Sequence, residues 1–207
     1  MGFYAERIVP RVVECTCSTT VAEPLRRRVC ADLLGSVVEI GFGSGLNVAH
    51  YPPAVDSVVA VEPSDLAWEL AERRRAGSVV PVERGGTDAQ VLPFDDDTFD
   101  TALSTWTMCT IPDVAAALRE ARRVLKPGGT LHFVEHGLAP DTRVQRWQRR
   151  VEPLQRTLAG GCHLTRDVPA LLRAAGFDTP ELDVFYMRGT PKMFGATTLG
   201  VAVKPRC

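Results

Sequence analysis

Residues 37–45 read Val-Val-Glu-Ile-Gly-Phe-Gly-Ser-Gly, an apolar run that passes straight into three alternating glycines. Val37, Val38 and Ile40 suit a strand buried on both faces. Such a strand belongs inside a parallel sheet, whose neighbours must be joined by helical crossovers. Glu39 is a carboxylate carried to the C-terminal edge of that strand. Gly41, Gly43 and Gly45 let the backbone turn sharply and approach a ligand where a Cβ would intrude. The spacing misses the G-x-G-x-x-G turn that cradles a pyrophosphate, because its third position falls on Leu46 in one register and on Val48 in the other.

The rest of the chain supplies the crossovers. A helix is expected over residues 24–34, stopped by Gly35, and a short one over 46–50 before Pro52 and Pro53. Residues 58–62 form a second apolar strand closed by a carboxylate, Glu62. Nucleotide-binding α/β units place an acid there on ribose hydroxyls, since a carboxylate accepts two hydrogen bonds from a vicinal diol. Ser64 or Asp65 caps a helix through residue 76, and 79–82 is a third strand. The loop 85–94 follows, and Asp95, Asp96 and Asp97 read as a solvated turn. A fourth strand at 99–104, an amphipathic helix at 112–125 and a fifth strand at 130–135 continue the alternation. Residues 141–161 carry Val144, Trp147, Val151, Leu154 and Leu158 on one helical face ringed by arginines, with Pro153 expected to kink it. A helix at 167–175 and strands at 182–187 and 197–204 close the pattern.

At 207 residues the chain is expected to form one domain, with 1–20 and 141–161 as capping segments. Residues 1–20 carry Phe3, Tyr4, Ile8, Val9, Val12 and Val13 at helical spacing, interrupted by Pro10. With 24 basic and 25 acidic side chains, the chain gives no reason to expect nucleic-acid binding. The arginine runs at 26–28, 73–75 and 149–150 read as solvated helix faces. The six cysteines form no C-x-x-C pair, so they read as reduced thiols of a cytoplasmic protein and no metal is expected. No apolar run is long enough to span a membrane, and no signal segment is evident. The basic helix 141–161 suits a lid over a cofactor mouth, a packing helix or a peripheral membrane contact. Oligomeric state is left open.

The acidic-x-G-x-G-x-G run at 39–45, the Gly-Thr-Asp-Ala-Gln-Val-Leu-Pro-Phe segment at 86–94 and Arg-Val-Leu-Lys-Pro-Gly-Gly at 123–129 resemble the motifs of class I S-adenosylmethionine (SAM) methyltransferases. The resemblance implies a Rossmann-like α/β fold, a seven-stranded sheet of order 3-2-1-4-5-7-6 with strand 7 antiparallel. It implies SAM as cofactor and S-adenosylhomocysteine as product. The glycines would pack on the methionine part, Glu39 would face its ammonium group, and Asp88 with the Ala89 N–H would read the adenine edge. Asn47, Glu62, Pro63 and Thr105 complete the expected cofactor set. More narrowly, Met-Cys-Thr-Ile at 108–111, Glu135-His136, Trp147, Pro153 and Gly-Cys-His-Leu-Thr-Arg at 161–166 resemble the small thiol S-methyltransferases. That implies an alkyl-thiol acceptor, without the N-terminal membrane anchor of animal members. Quinone, phenol or phospholipid methyltransferases and a non-catalytic SAM-binding module are the alternatives. A nicotinamide reductase is disfavoured by the missing Y-x-x-x-K pair. His136, at the end of the fifth strand, is the first candidate base for an acceptor, and His163 beside Cys162 the second.

Overall fold

The computed structural model describes residues 19–206, so the capping helix expected before them lies outside the described residues. Seven strands form one sheet: β1 (Gly35–Ile40), β2 (Val55–Val61), β3 (Val82–Gly86), β4 (Phe99–Thr105), β5 (Leu125–His136), β6 (Asp178–Tyr186) and β7 (Ala196–Val203). Their order is β3-β2-β1-β4-β5-β7-β6, as the resemblance implies. β1 to β5 pair in parallel, and β7 runs antiparallel to both β5 and β6. The helices are α1 (Glu23–Cys30), α2 (Asp65–Leu70), α3 (Glu72–Ala76), α4 (Val114–Val124), α5 (Thr142–Leu158), α6 (Val168–Ala174) and α7 (Lys192–Gly195).

The first strand is buried on both sides. Val38 and Ile40 join a core with Leu118, Leu131 and Leu172, while Val37 joins Val29, Leu33 and Leu103 on the opposite face. Period-two alternation therefore feeds two separate cores. Side chains of Ser64, Asp113 and Asp167 each accept a backbone N–H three residues on, capping α2, α4 and α6.

Several boundaries differ from the sequence reading. α1 stops at Cys30, four residues early, and Gly35 does not end it but opens β1 at φ +62°. A Cβ on Gly35 would run into the Asp100 side chain, whose carboxylate takes the Ser36 N–H at 3.0 Å. β3 starts at Val82, where the apolar run expected to form it ends. Gly85 and Gly86, read as loop, lie in that strand, and a Cβ on Gly85 would stand 3.0 Å from the Phe94 ring and closer still to Val59. The helix expected over 65–76 is two, joined at Ala71. The Asp95–Asp97 turn is a turn, pinned by Arg123 to Asp96 at 2.8 Å and Lys204 to Asp97 at 2.6 Å.

The inward face of α5 is only part of its apolar stripe: Val151 packs against Cys109, Cys162 and Leu164. Trp147 is 54% exposed and Leu154 63% exposed, whereas Gln148 is buried. Gln148 accepts the Ala139 N–H at 2.9 Å and donates to the carbonyls of Gly137 at 3.0 Å and Met193 at 3.3 Å. A single amide thus ties the helix to the end of β5 and to α7. Among the described residues no helix is long and apolar enough to cross a membrane.

Candidate active site

Sheet order reverses between β1 and β4, and the crevice beyond their C-terminal ends is where an open α/β sheet places a ligand. The floor of this crevice is a buried polar network. Glu39 is fully buried, and it accepts from Asn47 Nδ2 at 2.8 Å and from the Tyr51 hydroxyl. Asn47 Nδ2 also donates to Thr105 Oγ1 at 3.0 Å, while Arg26 Nη1 donates to Asn47 Oδ1 at 2.7 Å and to Thr105 Oγ1 at 3.1 Å. The Arg26 guanidinium lies 4.8 Å from the Trp106 ring centre, a cation–π contact. Burial raises the Glu39 pKa to about 7, against the Tyr51 and Asn47 hydrogen bonds and the Arg26 charge. Glu39 is thus buried with both oxygens engaged. Arg26, read with its neighbours as solvated, is buried and is the cation of the network.

The three glycines of the turn all have positive φ, for three different reasons. A Cβ on Gly41 would fall within 2.6 Å of Thr107 Cβ, with other Thr107 atoms closer. One on Gly45 would press on Phe42 and Ala71 at 3.2–3.3 Å. One on Gly43 would meet nothing within 4 Å, so only Gly43 faces open space. Glu62 accepts the Gly43 N–H at 2.7 Å and the Ser64 N–H at 2.8 Å, clamping the turn to the end of β2. Burial raises its pKa, opposed by those two N–H groups and by Arg84. Pro63 is exposed beside it.

Farther along the same edge, an open groove of about 480 Å³ is lined by Arg84, Gly85, Gly86, Thr87, Asp88, Val91 and Pro93. Asp88 is exposed there and held by the Gln90 backbone and side-chain amides at 2.8 and 2.9 Å, which lower its pKa. The Ala89 side chain is buried in the main core.

A second cluster stands past β4 and β5. Trp106 occupies left-handed backbone at φ +51°, an outlier for a bulky residue, and its ring centre lies 6.4 Å from that of His136. Glu135 is fully buried and takes the Ser104 hydroxyl at 2.8 Å and the Thr107 N–H at 2.9 Å. Burial raises its pKa to about 7 against the Thr107, Ser104 and Met108 donors, and its Oε2 makes no hydrogen bond of ordinary geometry. The ligating atoms of Cys109, His136 and Cys162 lie within 4.8 Å of one another. His163 donates its backbone N–H to Cys109 O at 2.8 Å, and its ring Nδ1 is 3.1 Å from Glu152 on α5. Arg166 donates to the Met108 carbonyl and to that of Ile111 at 2.6 Å, tying the loop after β4 to the loop before α6.

The two histidines expected as bases are thus unlike each other. His136 faces the sulfurs and Trp106, while His163 is engaged by a helix carboxylate. Arg26, Tyr51 and the Cys109–Cys162 contact were not visible in the sequence, because each depends on a partner at least eleven residues away with no fixed spacing.

A family model described as a methyltransferase domain matches residues 38–133. Over 154 residues the chain is 32% identical to thiol S-methyltransferase TMT1B of Rattus norvegicus, covering 72% of this chain and 62% of that protein. It is 33% identical over 124 residues to phosphatidylethanolamine N-methyltransferase of Cereibacter sphaeroides, covering 56% and 59%. The chain therefore spans less than two-thirds of the length of these relatives. A solved SAM-dependent methyltransferase of Thermotoga maritima superposes with a TM-score of 0.68 at 25% identity, covering 99% of this chain and 100% of that one. Strand order, glycine turn and these likenesses agree, and the chain belongs to the class I SAM-dependent methyltransferases.

Proposed function

We propose that this chain transfers the methyl group of SAM to a small alkyl thiol. The residues fit the cofactor: Gly43 leaves the space that a Cβ would fill, and the buried Glu62 carboxylate keeps a lone pair on each oxygen after taking one N–H apiece. In this reading Gly41, Gly43 and Gly45 shape the seat of the methionine part, Glu62 with Pro63 receives the ribose, and Asp88 with the Ala89 N–H receives the adenine. Glu39, Asn47 and Thr105 hold the turn from beneath. Bound SAM supplies an electrophilic methyl group on a sulfonium.

The observation that carries the thiol reading is an assembly. Segments 108–111, 135–136 and 161–166, the ones that resemble thiol S-methyltransferases, are remote in sequence and meet at one rim. Trp147 and Pro153, the other markers, are exposed on α5. That rim adjoins the turn, because Thr107, two residues before Cys109, packs on Gly41. The thiol-named relative supports the same reading. A free thiol has a pKa of about 8.5 and is only a few per cent thiolate at neutral pH, so the chain's task is to hold the acceptor sulfur ionised and dry.

The test is S-adenosylhomocysteine formation with purified protein against alkyl thiols, phenols, quinones and phospholipid amines. Thiol-dependent turnover giving the methyl thioether is expected. Methylation of a quinone or a phospholipid amine with no thiol turnover would overturn the acceptor.

A further inference from the structure

Cys109, His136 and Cys162 reach one point from three elements: the loop after β4, the last residue of β5 and the loop after α5. Both cysteines are buried, at 2% and 7% exposure, and His136 is half-buried, so the cluster is closed behind and faces the rim through the imidazole. The loops carrying the sulfurs are held by the His163 backbone N–H on Cys109 O and by the Arg166 guanidinium on the Met108 and Ile111 carbonyls. A tetrahedral ion with metal–sulfur bonds of about 2.3 Å and a metal–nitrogen bond of about 2.0 Å needs these donors roughly 3.5–3.8 Å apart. The observed spread of 4.8 Å exceeds that by about 1 Å, so binding requires the side chains to draw in by that much.

The charges around the cluster favour a cation. Glu135, fully buried with Oε2 lacking a hydrogen bond of ordinary geometry, lies close enough for its charge to act on Cys109. Arg166 is the opposing positive charge and is already spent on carbonyls. Two cysteine sulfurs and an imidazole nitrogen match a divalent ion of borderline softness, and three protein donors with one open position is the pattern of a catalytic zinc site.

We propose that Cys109, His136 and Cys162 bind one Zn²⁺ whose fourth position takes the sulfur of the acceptor thiol. Only the second half of this rests on the thiol reading above. In the binding step the acceptor's S–H bond breaks, a sulfur–metal bond forms and the proton leaves to water, so the acceptor is held as thiolate below its free pKa. His136 then serves as a ligand, not as a base.

The experiment uses the whole chain, free of a histidine tag and of chelators, in reducing buffer. Metal analysis should find near-stoichiometric zinc. Replacement by Co²⁺ should give thiolate-to-cobalt charge-transfer bands and the intense visible bands of a tetrahedral site. A small alkyl thiol added with S-adenosylhomocysteine should shift the visible bands, and the corresponding alcohol should not. Cys162→Ser should weaken Co²⁺ binding by more than about 100-fold, beyond the usual loss of an outer-shell partner. The wild-type cobalt titration decides the matter even if that variant fails to fold. Absence of zinc together with no cobalt bands overturns the site, and full-rate thiol methylation by chelator-stripped protein overturns the fourth-position assignment. Cobalt bands indifferent to thiols, with thiols still methylated, overturn the fourth-position assignment and leave the thiol reading intact. Failure to methylate thiols overturns that reading, while the cobalt spectrum still judges the metal.

Discussion

Replacing Gly43 by alanine separates the two jobs of the glycine turn. In the protein the new Cβ meets nothing within 4 Å, so the cost is that of holding an L-residue at φ +58°, about 1–2 kcal/mol. For a chain of this length each kcal/mol lowers Tm by roughly 2–4 °C, giving a fall of about 2–8 °C. Gly41→Ala carries the same backbone cost and also overlaps Thr107, whose N–H is held by Glu135 at 2.9 Å. Overpacking adds about 1–3 kcal/mol, so this variant should lose roughly 2–5 kcal/mol in all. With bound cofactor the order reverses, because the Gly43 methyl enters the space assigned to the ligand. An overlap of the same 1–3 kcal/mol weakens S-adenosylhomocysteine by about 5- to 150-fold. Thermal unfolding and calorimetric titration on both variants provide the check. A Gly43→Ala protein that binds S-adenosylhomocysteine like the wild type would refute the placement of the cofactor against this turn. One that unfolds would refute the open space.

Glu62→Gln should turn an amide N–H₂ toward either the Gly43 or the Ser64 N–H, costing about 1–3 kcal/mol of stability and weakening S-adenosylhomocysteine about 5- to 150-fold. Unchanged calorimetric affinity would remove Glu62 from the ribose role. The Glu39 pKa, raised to about 7 from an ordinary 4.5, makes the fold carry a buried carboxylate that resists ionisation. Its contribution to stability is full below the ordinary carboxylate range and is lost as pH rises through about 7. Asp100 and Glu120, with lowered pKa values, act in the opposite sense and only on the acid side. Urea midpoints should therefore fall from pH 5.5 to pH 8 in the wild type and fall less in Glu39→Gln. Parallel curves for the two proteins would show that Glu39 titrates normally.

The sequence carried what repeats locally. Val37, Val38 and Ile40 announced a strand buried on both faces, and Ser64, Asp113 and Asp167 sit at or beside the expected helix starts as N-caps. What it hid were decisions made by partners far along the chain. Arg26 stands between two other arginines and looks like them, yet Asn47 and Thr105 bury it. The stripe of Val144, Trp147, Val151, Leu154 and Leu158 has an ideal helical period. Of that stripe α5 packs Val151 inward and leaves Trp147 and Leu154 exposed, and the neighbouring Gln148 is buried instead, satisfying backbone groups of Gly137, Ala139 and Met193. At the site, Gly43 has open space beside it, Glu62 is bonded to the turn and Asp88 lines the groove, while Glu39 is buried with both oxygens engaged. The meeting of Cys109, His136 and Cys162 has no spacing to read, since each rides on a different element.

The insertion of β7 between β5 and β6 sets an order of assembly on the ribosome. β1 to β4, with the glycine turn and Glu62, are contiguous in the first half of the chain and can pair as soon as residue 105 has emerged. β5 and β6 cannot pair with each other, and each waits with a bare edge for residues 196–203. His136 is in register with Thr197, so the residue that meets the two cysteines is paired to that last strand. The residues proposed for the cofactor, 39–105, therefore all leave the ribosome before Cys109, His136 and Cys162 do.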